Sequence, residues 1–133
     1  MSNHKLLVEL AIKAKRRAMS PTGYHCGAAV LSDSGKIYTG CNLGTEDGIF
    51  NICAERVAIS KMLSEEGQTS FHKIAVVGGH GDELVYTTPC GVCRQLIAES
   101  GEDIEVICAY EEHDELKEKI FKIKELLPES FNM

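Results

Sequence analysis

Residues 53–56 read Cys53-Ala54-Glu55-Arg56, and residues 89–95 read Pro89-Cys90-Gly91-Val92-Cys93-Arg94-Gln95. Three thiolates are one ligand short of a closed structural zinc site, and an open fourth position is where a catalytic zinc holds water. Glu55, two residues beyond the first thiol and not itself a ligand, is a ready proton carrier beside that water. Cys90 and Cys93 lie three apart at the start of an expected helix, so their sulfurs can converge on one ion with Cys53, which opens another. Helix N-termini carry partial positive charge and unpaired N–H groups, and both favour thiolate over thiol. Three thiolates on one Zn²⁺ leave an excess negative charge. Arg56 and Arg94 each follow a ligand-bearing motif and are expected to hydrogen-bond a thiolate and draw off part of it.

Outward from these motifs, the apolar pattern predicts a mixed sheet. Leu6, Leu7, Leu10, Ala11 and Ala14 recur at helical spacing within residues 4–19, and Ser20-Pro21-Thr22-Gly23 ends that helix. Gly27 to Leu31 reads as a strand, Asp33-Ser34-Gly35 as a tight turn and Lys36 to Cys41 as the hairpin partner. A polar loop follows from Asn42 to Asn51, then a helix from Cys53 to about Gly67. Ile74 to Val77 is a continuous apolar strand of the kind buried on both faces. Pro89 suits the first turn of a third helix ending near Glu99, and Ile104 to Ala109 is a further strand. Residues 117–124 fit either a short strand followed by a helical turn or one helix from Asp114. This order implies an α/β chain with helices on both faces of a mixed sheet, in one domain over residues 1–133.

The formal charge is −6, with no Trp and 6% aromatics. That balance argues against a surface that tracks phosphates or stacks bases, so no nucleic-acid partner is expected. The basic cluster Lys13, Lys15, Arg16 and Arg17 reads as a solvated helix end that complements the dipole. No segment approaches the ~20 apolar residues needed to span a membrane, and residues 1–18 carry too many charges for a signal peptide. A cytoplasmic location is therefore expected, where clustered thiols point to metal or catalysis rather than disulfides. Cys26, Cys41 and Cys108 lie in strand-like runs and read as small buried hydrophobes.

A Cys-x-x-Cys pair alone fits a structural zinc or a redox pair equally well. Joined to the distant Cys53, to Glu55 and to Pro89, it matches the signature of zinc deaminases, whose ligands are His and two Cys or three Cys. Across nearly the whole chain the sequence resembles the small cytidine deaminases. Tyr24-His25-Cys26-Gly27-Ala28-Ala29 is similar to that family's strand beside the substrate ring. Gly40-Cys41-Asn42 resembles its ribose-contacting start, and Leu126-Leu127-Pro128 with Phe131 resembles the C-terminal signature whose aromatic closes over the site. The resemblance implies a three-layer α/β/α sandwich around a five-stranded sheet, one Zn²⁺ per subunit, and a homotetramer with sites at subunit interfaces. It implies substrate contacts from Asn42, Ala54, Tyr24 and Phe131. It also implies hydrolysis of cytidine or 2′-deoxycytidine to the uridine analogue with release of ammonia, a pyrimidine-salvage reaction.

The chain departs from this pattern at Gly44, where nucleoside-specific relatives carry a glutamate that holds the ribose. Glu46 or Asp47 could replace that acceptor, or Gly44 could open space for a bulkier group. The second option points to a related branch, the blasticidin S deaminases, and Glu46 with Asp47 would then present an acidic rim to a cationic substrate. A structural zinc module would need a fourth protein ligand, for which His80 and His113 are the nearest candidates. Both lie in loops that suit solvated histidines.

Overall fold

The computed structural model describes residues 3–132. Its elements are α1 (His4–Lys15), β1 (Tyr24–Ser32), β2 (Ile37–Cys41), α2 (Ala54–Glu66), β3 (Phe71–His80), α3 (Gly91–Ser100), β4 (Glu105–Glu112), β5 (Glu115–Lys122) and α4 (Ile123–Leu126). The five strands form one sheet in the order β2-β1-β3-β4-β5. Only β3 and β4 run parallel; the other three pairings are antiparallel. β2 and β5 are the edges.

Side chains alternate across a strand, and here the alternation sorts the core into two layers. Ala28, Val30, Ile74, Val76, Val106 and Cys108 face one cluster with Ala58, Ile59 and Met62 of α2 and Ile97 of α3. Ala29, Ala75, Val77, Ile107 and Ala109 face the other cluster with Leu7, Val8 and Ala11 of α1. Sheet and helices therefore form the expected α/β/α sandwich. Close approach of helix to sheet depends on two glycines in the hairpin. A Cβ at Gly27 would collide with the Ala11 carbonyl of α1, and one at Gly40 would lie 2.6 Å from the Ala54 carbonyl at the start of α2. The second contact seats the N-terminus of α2, and with it Cys53 and Glu55, against β2.

Two boundaries differ from the sequence expectation. α1 stops at Lys15 rather than near residue 19. The chain then runs beside the segment after β2: Met19 N–H donates to Asn42 O at 3.2 Å, and Gly44 N–H donates to Met19 O at 2.7 Å. Lys15 leaves the basic cluster altogether, because it is buried and its Nζ donates to the Gly81 carbonyl. Pro89 stands before the helix rather than in its first turn, with Cys90 as the N-cap of α3. The open choice at 117–124 resolves as strand β5 followed by the short α4. The β4–β5 hairpin turns at His113 (φ 53°) and Asp114 (φ 63°), two consecutive left-handed residues as a type I′ turn requires.

Glu66, at the end of α2, locks the β1–β2 turn to that helix. Its carboxylate accepts from Ser32 Oγ at 2.6 Å, Ser34 Oγ at 2.7 Å and Tyr38 Oη at 2.7 Å. These donors hold the Glu66 carboxyl down to about 2, the Ser32 bond contributing most. A depressed folded-state pKa adds stability above the unfolded-state value of about 4.5 and loses it as pH falls through the folded-state value. Thermal melts should therefore show Glu66→Gln below wild type at pH 7, with the gap closing between about pH 4.5 and 2. A gap independent of pH would mean that the carboxylate charge is not what the three hydroxyls hold.

Candidate active site

Both ligand-bearing helices begin at the same place. Cys53 is the N-cap of α2 and Cys90 the N-cap of α3, with Cys93 in the first turn of α3. The three Sγ atoms all lie within 4.8 Å of one another, and Cys53 Sγ is 3.6 Å from Cys90 Sγ. A tetrahedron with Zn–S arms of about 2.3 Å has edges of about 3.8 Å, so the three sulfurs suit one zinc ion. Among the described residues no histidine or carboxylate joins this cluster. His80 packs edge-on against Tyr24, and His113 sits in the β4–β5 turn. Neither completes a four-ligand structural site.

The charge is uneven over the three thiols. Hydrogen bonding from Cys93, and then from the Arg56 guanidinium, holds the Cys53 thiol down to about 5. Cys93 is pushed up, because its proton is shared with Cys53 and its side chain is fully buried. Arg56 Nη2 donates to Cys53 Sγ at 3.3 Å, while Arg56 Nε is buried with no hydrogen-bond partner. A guanidinium held here against thiolate charge is the counterweight that a three-thiolate zinc requires.

Arg94 does something else. Its Nε donates to Pro89 O at 2.8 Å, Nη1 to Leu126 O at 2.9 Å and Nη2 to Thr88 Oγ1 at 2.9 Å. The expected bond to a thiolate is replaced by a clamp that ties the residues before Cys90 to the end of α4. A planar fork matches oxygens in different directions, and here it meets two carbonyls and a hydroxyl.

Glu55 sits in the first turn of α2, only 4% exposed. Burial pushes its carboxyl up to about 7, and the neighbouring Cys53 charge adds to the shift. It lines a cavity of about 590 Å³ together with Cys53, Cys90, Val76, Cys26 and Tyr24. Loop 42–52 forms much of the outer wall, and Asn42, Gly44, Glu46, Asp47 and Asn51 all reach it. The cavity is therefore enclosed at Glu55 and Val76, which are buried, and open and polar along loop 42–52.

The remaining expected site residues divide. Tyr24 lines the cavity, its hydroxyl 3.0 Å from Thr87 Oγ1. Asn42 lines it too, although its Oδ1 accepts the Cys26 N–H at 2.7 Å and its Nδ2 donates to Tyr24 O at 3.0 Å. Glu46 stands on the rim. Ala54 is fully buried in the core and is not among the residues that line the cavity. Phe131 is 65% exposed and away from the cavity of its own chain; Gln95 holds its backbone through Nε2 to O at 2.9 Å and N–H to Oε1 at 3.2 Å.

Gly44 does not open the mouth. A Cβ there would lie 2.9 Å from Asn51 Oδ1, so the amide already fills that space. Sequence reading passed over Asn51, Thr87 and Thr88, which reach the cavity only through folding of their loops. Cys26 packs against the core as expected and also lines the cavity, where burial and the Glu55 charge push its thiol up to about 12.

Comparison with known proteins agrees with this geometry. Residues 1–110 match a family model described as the cytidine and deoxycytidylate deaminase zinc-binding region. A probable cytidine deaminase of Dictyostelium discoideum is 37% identical over 126 residues, which span 94% of this chain and 81% of that protein. A blasticidin-S deaminase of Bacillus cereus is 32% identical over 129 residues, 92% of this chain and 87% of that protein. Among solved structures, a cytidine deaminase from Burkholderia pseudomallei superposes with a TM-score of 0.83 at 32% identity, covering 98% of this chain and 100% of that one.

Proposed function

Because the chain belongs to the cytidine and deoxycytidylate deaminase zinc-binding family, we propose that it is a zinc-dependent hydrolase that deaminates cytidine and 2′-deoxycytidine, releasing ammonia. The observation that carries this reading is the buried Glu55 carboxyl on the floor of a nucleoside-sized cavity, beside three convergent thiols. Cys53, Cys90 and Cys93 would hold the zinc. When bound, the metal acts as a Lewis acid that brings the pKa of water to about 7.

The protein's own groups do the rest. Glu55 takes a proton from the attacking water and gives it to the ring nitrogen next to the amino-bearing carbon. A second transfer through Glu55 reaches the exocyclic nitrogen, which leaves as ammonia while the carbon keeps the water oxygen. A carboxyl with a pKa near 7 can both accept and return a proton at neutral pH. Arg56 keeps its charge against Cys53 throughout. Tyr24 and Val76 line the cavity and give the flat ring an apolar wall.

The active form in this reading is a homotetramer of single-domain subunits, each cavity completed by a neighbour. Phe131, exposed and held by its backbone outside its own cavity, supports this assignment as the aromatic that covers a neighbouring site. So do Ile49 and Phe50, which stand 74% and 69% exposed in the cavity-wall loop. Six unpaired cysteines suit a reducing cytoplasm, and no helix among the described residues is long and apolar enough to cross a membrane. Pyrimidine salvage is the corresponding role.

A second reading takes a modified cytosine nucleoside such as blasticidin S as substrate. It is favoured by the Glu46 carboxylate, which stands on the cavity rim without a hydrogen-bond partner among the described residues. Asp47 lines the same wall, with its Oδ1 occupied by Thr45 Oγ1 at 2.6 Å and Ile49 N–H at 3.1 Å. Ammonia release from cytidine, 2′-deoxycytidine and blasticidin S decides the matter, with Glu55→Ala as blank. Turnover of the simple nucleosides is expected. Activity on blasticidin S alone would install the second reading, and activity on none would sink both.

A further inference from the structure

Loop 42–52 is pinned at its base. Leu43 and Ile52 exchange backbone hydrogen bonds of 3.1 and 2.9 Å, and Gly44 N–H donates to Met19 O at 2.7 Å. Most polar side chains along the loop serve the protein itself. Asn42 is engaged at both ends of its amide by β1, and Asp47 by its own turn. Asn51 is engaged at one end only. Its Oδ1 accepts the Thr45 N–H at 3.2 Å, while its Nδ2 meets no acceptor among the described residues. That oxygen lies 2.9 Å from where a Cβ of residue 44 would stand, so the missing side chain at Gly44 gives the Asn51 amide its place on the cavity wall.

The orientation of a bound nucleoside follows from burial. The carbon that reacts must approach Glu55 at the enclosed end, so the sugar on the other side of the ring faces the open end, where Asn51 lies. We infer that the Asn51 amide, seated by Gly44, is the specificity-determining group that hydrogen-bonds a hydroxyl of the substrate's sugar. This rests on the cytosine-nucleoside reading above. A neutral donor whose carbonyl is already fixed by Thr45 can offer Nδ2 to a hydroxyl oxygen with little loss of side-chain freedom. The amide therefore reads hydroxylated sugars without presenting a charge.

The test measures affinity by calorimetry in a zinc-loaded Glu55→Gln background, so that ligand is bound and not consumed. Cytidine and cytosine, which lacks the sugar, are titrated into that protein and into versions carrying Asn51→Ala, Gly44→Ala or both. A net hydrogen bond to the sugar predicts that Asn51→Ala weakens cytidine about five- to tenfold and leaves cytosine within about twofold. Gly44→Ala should copy that pattern, because its Cβ forces the end of the Asn51 side chain aside, and the double variant should bind cytidine no worse than the weaker single. Unchanged cytidine affinity in Asn51→Ala, equal losses for cytosine and cytidine, or additive losses in the double variant would each overturn the inference and leave the function standing. If the wild-type, zinc-loaded protein released ammonia from no cytosine nucleoside, the nucleoside reading would fall and this inference with it.

Discussion

Glu55→Ala is expected to keep zinc and the fold and to lose turnover by about 10²–10⁴-fold, the usual worth of a positioned general acid–base. The carboxyl is 4% exposed, so bulk water cannot readily take over its two proton transfers. Nor is there an obvious substitute among the described neighbours. Cys26 shares the cavity, but its thiol is pushed up to about 12 and holds its proton at neutral pH. Tyr24 commits its hydroxyl to Thr87. Stability should hold or rise, because a buried carboxyl is costly to desolvate and alanine removes that cost. Ammonia release, zinc content and a thermal melt on the same preparation check the three parts. Zinc-loaded Glu55→Ala turning over within about tenfold of wild type would remove Glu55 from the mechanism.

Cys93→Ala should be more severe, since it removes metal and chemistry together. Cys93 is the only one of the three thiols that is fully buried, and it is the largest of the influences that hold the Cys53 thiol down to about 5. Without it two sulfurs remain, and no carboxylate or imidazole among the described residues lies close enough to replace the third. Metal analysis of the purified variant should find zinc well below one per chain, with turnover at least as low as in Glu55→Ala. Arg56→Ala, which leaves all three sulfurs, should lose only about 10–100-fold in metal affinity or activity. A Cys93→Ala protein that retains one zinc per chain would show that the ligand set is not these three thiols.

The fold was legible where pattern and burial coincide. Val76 and its neighbours form a run that no surface could carry, and Cys53 and Cys90 open helices whose apolar spacing is clear. The metal cluster was legible for a related reason: two of its ligands share one helical turn, so their convergence is local. The last hairpin was not, because its left-handed turn is made by His113 and Asp114 rather than by the Asn-Gly that normally marks one. Arg94 was misread because its neighbours in sequence are ligands while its partners in space are the oxygens of residues 88, 89 and 126. Asn51 carried no signal at all. Its place depends on the empty position at Gly44, seven residues away along a loop whose course only the folded chain defines.

Strand β5 closes one side of the sheet, and the outer row of its N–H and C=O groups has no partner strand among the described residues. Such a row invites another strand to add, which is how folded sheets begin to aggregate. Here Glu115, Lys117, Glu118, Lys119 and Lys122 make up most of the strand's eight residues. A visiting strand would have to strip water from those charges and match their alternating sign. The charges of β5, several of them within the stretch 117–124 where helix and strand were both open, thus work against pairing of one molecule's sheet with another's.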